Sequence, residues 1–70
     1  MAGNIQLDWP ALVKEAISRR KTTRLTQKQF AVIAGVSGPT VTRFERHDKN
    51  ITMESAFKIL RALGLLVRET

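Results

Sequence analysis

The sequence predicts an all-α fold of four to five short helices followed by a short C-terminal strand or tail. Three observations predict it. Apolar residues recur every three or four positions in four separate segments, the spacing that builds one buried helical face. A residue able to cap a helix N-terminus (Asp8, Thr26, Ser37 or Thr52) precedes each segment. Gly35 and Gly64 stand where two of the segments end, and glycine there lets the chain turn sharply.

In "LDWPALVKEAISRRK" the apolar positions are Trp9, Leu12, Val13, Ala16 and Ile17. Asp8 caps this segment, and Pro10 stays in the first turn, where its missing N–H costs little, so a first helix is expected over about 9–21. "TTRL" breaks the pattern. Thr26 followed by Gln29 has capping-box spacing and opens a second helix over about 27–34, which Gly35 ends. Ser37 caps a third helix over about 38–46, with Val41, Phe44 and Glu45 facing inward and Thr40, Thr42, Arg43 and Arg46 outside. Gly38 and Pro39 fall in its first turn, where backbone N–H groups lack helical partners, so they start the helix rather than break it. After the polar "HDKN", Thr52 caps a fourth helix whose apolar stripe is expected to be Met53, Ala56, Phe57, Leu60 and Leu63, with Gly64 as its stop. Trp9 and Phe57 are expected in the core, because aromatics at helical spacing usually fill one. The tail, residues 65–70, is apolar and partly β-branched and suits a brief strand or a docked segment.

Seventy residues enclose one modest core, so residues 1–70 form a single domain. No cysteine is present, which excludes disulfides and Cys-ligated zinc. Helix packing, helped by a second subunit, must supply the stability. Twelve Lys and Arg against six Asp and Glu give a net charge of +6, which suggests a polyanionic partner. No apolar run approaches the ~20 residues that span a bilayer, and the N-terminus has no signal-peptide pattern; a cytoplasmic protein without a membrane partner is expected. No Ser-His-Asp set, paired carboxylates or glycine-rich phosphate loop points to an enzyme, and no cofactor is expected. His47 is the sole histidine and lacks a second ligand at metal spacing, so no metal site is expected either.

The second helix, the tight turn at Gly35 and the third helix together make a helix-turn-helix over about 26–46, a motif that can hold its second helix in a DNA major groove. Ala31 is small enough to let the two helices approach closely, and Val36, Val41 and Phe44 are placed to pack the pair on the core.

"LTQKQFAVIAGVSGPTVTRFE", followed by "ITMESAFKILRALG", resembles the phage repressor and Cro-like helix-turn-helix proteins, the Xre family, over about residues 12–63. The resemblance implies a lambda-repressor-like bundle and a regulator of transcription, a repressor, that binds double-stranded DNA with the third helix as its reader. It implies that Gln27 reaches a phosphate or neighbouring side chains of that helix, and that Arg20 and Glu45 form a structural ion pair linking the first helix to the third. The family's base-reading face falls on Ser37, Gly38, Pro39, Thr42 and Arg43, with Thr40 and Arg46 nearer the DNA backbone. Gly38 and Pro39 depart from the polar residues often found there and cannot hydrogen-bond a base through a side chain. Arg43 is then the foremost candidate for direct readout, since a guanidinium binds guanine O6 and N7 together. For Arg19, Lys21, Arg24 and Lys28 a solvated surface and phosphate binding are equally good readings.

A reader this small sees few bases, so a homodimer on two half-sites is expected, with the tail as a possible interface. The alternative keeps the fold and changes the partner. "FKILRALGLLV" also resembles the helix-turn-helix antitoxins, which bind a toxin and regulate their own synthesis through the same motif.

Overall fold

A computed structural model describes residues 8–66. Four helices follow in order, α1 (Trp9–Thr22), α2 (Gln27–Ala34), α3 (Gly38–Glu45) and α4 (Met53–Ala62), and no strand occurs among the described residues. Each N-terminus is capped as its residues dictate. Asp8, Thr26, Ser37 and Thr52 accept the backbone N–H three residues on, and at α2 Gln29 Oε1 returns the favour by accepting from the Thr26 N–H at 2.9 Å.

The C-termini share one device. At each, a residue two or three positions past the helix donates its N–H back five residues: Leu25 to Arg20, Val36 to Ala31, Asp48 to Arg43 and Leu65 to Leu60. This Schellman closure needs a left-handed residue in between. Gly35 (φ 79°) and Gly64 (φ 75°) supply it without strain, whereas Arg24 (φ 60°) and His47 (φ 62°) hold the same conformation despite a Cβ. Two of the four helix ends therefore lack the glycine signal. Leu25, Val36 and Leu65, the residues just beyond the turn, fold back onto the core. Asp48 is polar, and its carboxylate instead accepts the Asn50 N–H at 2.8 Å.

Val13 and Ala16 of α1, Phe30 and Ala31 of α2, Val41 and Phe44 of α3, and Ile59 and Leu60 of α4 form the buried centre. Burying a side chain of Val, Ile or Phe size contributes about 1.5–3 kcal/mol. Trp9 is half-buried, and its ring meets Phe44 edge to face with centroids 5.6 Å apart, tying the start of α1 to the end of α3.

The expected stripe of α4 needs correction. Ile59, which the stripe omitted, is 1% exposed, while Met53 is 64% and Phe57 38% exposed. The helix turns the face carrying Ala56, Ile59, Leu60 and Leu63 inward, and Phe57 lies about 100° around the axis from Ala56. Phe57 is therefore not a core residue. On α2, Val32 (80% exposed) and Ile33 (62%) also point outward, because Phe30 and Ala31 take the inner face of that short helix.

Arg19 has a structural task. Its Nη1 donates to the Leu63 carbonyl at 2.9 Å and its Nε to Glu15 at 3.0 Å, so α1 caps the free carbonyl end of α4. Leu65 and Leu66 form a bend that packs on the core, not a strand; the rest of the tail, 67–70, and with it the suggested tail interface, lies outside the described residues.

Candidate nucleic-acid interface

The turn between α2 and α3 is only Gly35, Val36 and Ser37 long. Such a short connection forces the helices to pack at once on each other, and Ala31 and Val41 are both buried where they do so. Val36 N–H donates to the Ala31 carbonyl at 3.0 Å, so the turn is closed against the end of α2. The outer face of α3 is thereby held beside the N-terminus of α2.

Between them lies an open groove lined by Gln27, Lys28, Gly38, Pro39, Thr42, Arg43 and Arg46. Lys28, Arg43 and Arg46 are exposed and form no ion pair among the described residues, which leaves three positive charges for an external anion. The structure thus brings six of the sequence-derived positions together, Gln27, Gly38, Pro39, Thr42, Arg43 and Arg46. Ser37 and Thr40 are not among the groove's lining residues. Ser37 Oγ accepts the Thr40 N–H at 3.2 Å, and the two hydroxyls lie 2.7 Å apart, so both side chains are engaged in capping α3. Lys28, left open between surface and phosphate in the sequence reading, sits in the groove; its position one residue after Gln27 is the signal that points there.

Gly38 raises a separate point. A methyl group built on it meets no heavy atom within 4 Å, and its φ is not positive. Neither packing nor backbone geometry requires glycine there. The missing side chain instead keeps the tip of α3 low, and the neighbouring Pro39 adds a rigid, apolar surface without an N–H.

Behind the groove, Arg20 and Glu45 join α1 to α3. Arg20 Nε donates to Glu45 Oε2 at 2.6 Å and Nη2 to Oε1 at 3.0 Å, a bidentate pair whose side chains are each about 10% exposed. Arg20 Nη1 also donates to the Leu25 carbonyl at 2.7 Å, fixing the loop before α2. Glu45 Oε1 accepts a further hydrogen bond from Gln27 Nε2 at 2.8 Å, and Gln27 Oε1 accepts from Thr42 Oγ1 at 2.8 Å. Four residues on three helices form one network that ends at the groove. The contact with Thr42 is of the kind the resemblance implied for Gln27, a side chain of the third helix, but spacing alone did not single out Thr42, because the contact depends on how α2 and α3 cross. His47 lies exposed in the left-handed turn after α3.

The helix-turn-helix family model matches residues 18–69 of this chain. A Haemophilus influenzae protein bearing the name uncharacterized HTH-type transcriptional regulator is 37% identical over 54 residues. That match covers 77% of this chain and 55% of the relative, so the chain spans little more than half of the relative's length.

Proposed function

We propose, for a chain that belongs to the helix-turn-helix family, that it binds double-stranded DNA sequence-specifically and regulates transcription, acting as a repressor. The observation that carries this reading is the convergence of Lys28, Arg43 and Arg46 on one groove beside the outer face of α3. Lys28 and Arg46 would neutralise phosphates while α3 enters the major groove and presents Arg43 and Thr42 to base edges. Repression would follow where the bound site overlaps a promoter, since a protein seated there excludes other proteins. A homodimer with its two α3 helices about 34 Å apart would read successive turns of one DNA face.

Selection of binding sites from randomised duplex DNA tests the reading. The chain should enrich a defined half-site containing at least one guanine. Arg43→Ala should lose preference at that guanine, worth about 1–3 kcal/mol, while retaining salt-sensitive binding to unrelated DNA. Enrichment of no sequence would overturn the proposal.

Gly38 provides a second test that separates binding from folding. Gly38→Ala should leave the fold intact or stabilise it by about 0.4–1 kcal/mol in a thermal melt, because the position tolerates a methyl group. If the duplex approaches the tip of α3 closely, the same methyl should weaken DNA binding roughly 10-fold by overpacking the contact. Undiminished affinity would place the duplex further from Gly38 than proposed.

A further inference from the structure

The hydroxyl of Thr42 ends a hydrogen-bond chain whose direction is set at its other end. The Arg20 guanidinium can only donate and the Glu45 carboxylate can only accept. Glu45 Oε1, already 3.0 Å from Arg20 Nη2, faces the Gln27 side chain at 2.8 Å, so Gln27 must turn its NH2 toward Glu45. Reversing that amide would set a carbonyl against a carboxylate. The Gln27 carbonyl is therefore left facing Thr42, and the Thr42 hydroxyl gives its single hydrogen to it at 2.8 Å. The other protein group within reach of Thr42 Oγ1, the Gly38 carbonyl at 3.4 Å, is also an acceptor. Both neighbours draw the hydrogen inward. What remains for the groove is the hydroxyl's lone pairs and the γ-methyl group.

From this geometry we infer that Thr42 reads DNA as an obligate hydrogen-bond acceptor, selecting an amino base, adenine or cytosine, over guanine or thymine on the strand it faces. Adenine N6 and cytosine N4 are the major-groove donors, whereas guanine O6 and N7 and thymine O4 can only accept. A threonine free to rotate its hydroxyl would pair with either class. The Arg20, Glu45 and Gln27 chain removes that choice, so a buried ion pair that touches no base helps set the specificity of one that does. Gln27 acts here as a positioning residue. The inference rests on the DNA-binding reading above.

Sites selected from randomised duplex by the full chain and by T42S, T42V and Q27M test it, with each variant first checked for a cooperative thermal melt. The chain itself and T42S should both show one half-site position at which adenine or cytosine is favoured roughly fivefold, the discrimination of a single neutral hydrogen bond. T42V, which keeps the shape and loses the hydroxyl, should lose preference at that position alone. Q27M removes the nearer of the two inward acceptors and leaves only the Gly38 carbonyl at 3.4 Å, a weaker hold on the hydrogen, so guanine and thymine should become better tolerated there while the other positions stay unchanged. A merely structural Gln27 would weaken binding without changing the base preference. Should Q27M fail to fold, the contrast between T42S and T42V decides alone. A site left unaltered by T42V, or a thymine preference that survives in it through methyl contact, would overturn this inference and leave the DNA-binding reading standing. Failure of the chain to select any sequence would overturn both.

Discussion

Replacing Glu45 with alanine is expected to destabilise the fold by about 3–5 kcal/mol, because it strands the Arg20 guanidinium in a site where only about 10% of the side chain meets water. A 70-residue domain has roughly 3.5–10 kcal/mol of total stability, so the variant should be largely unfolded at 37 °C or melt far below the parent chain. The loss exceeds that of an exposed ion pair for two reasons. Water cannot resolvate the orphaned charge freely, and Glu45 also holds Gln27 at the start of α2. The net contribution of the intact pair is a different quantity, since burying both charges carries its own desolvation cost. Arg20→Met combined with Glu45→Leu should therefore recover most of the stability lost in Glu45→Ala while leaving Gln27 without its partner. Urea or thermal denaturation of the single and double variants measures both. A Glu45→Ala loss below about 1 kcal/mol, the range of exposed pairs, would show that the pair is solvated in practice.

Raising salt from about 50 to 200 mM is expected to weaken binding to a selected duplex by roughly 150-fold, provided two chains occupy one site. The estimate follows from the groove. With Arg43 on a base, Lys28 and Arg46 give about two phosphate contacts per chain and about four per dimer, and each releases about 0.9 counterion. A single chain making about two contacts should lose only about 12-fold over the same interval. The slope thus reports stoichiometry as well as mechanism, and sedimentation of the complex checks it independently. Removing one cation, as in Lys28→Ala, should lower the slope by about one per chain and weaken all sequences alike. Salt-independent binding would exclude phosphate neutralisation as the source of affinity.

Much of this arrangement was legible in local sequence. Helix starts were set by Asp8, Thr26, Ser37 and Thr52, since a cap needs only a side-chain oxygen three residues before an orphan N–H. Glycine marked two helix ends, whereas the ends at Arg24 and His47 carried no such mark: there the closing hydrogen bonds, Leu25 N–H to Arg20 and Asp48 N–H to Arg43, accompany a left-handed conformation that local preference disfavours. Periodicity found the inner faces of α1 and α3. On α4 it placed Met53 and Phe57 in the stripe and omitted Ile59, and only the packing of the other helices turned Ile59 inward and left Phe57 partly exposed.

The sequence by itself determined that this chain forms a capped helical bundle with a tight helix-turn-helix and a strongly basic surface, because caps, turns and charge are properties of neighbouring residues. The tertiary structure alone decided what the side chains of that motif are free to do. It gathered Lys28, Arg43 and Arg46 around one groove, engaged Ser37 and Thr40 in capping, and turned the Thr42 hydroxyl inward. Those outcomes depend on the crossing of α1, α2 and α3. A hydrogen bond between residues 15 apart, such as Thr42 to Gln27, forms only when packing brings donor and acceptor together, and no local pattern encodes that distance.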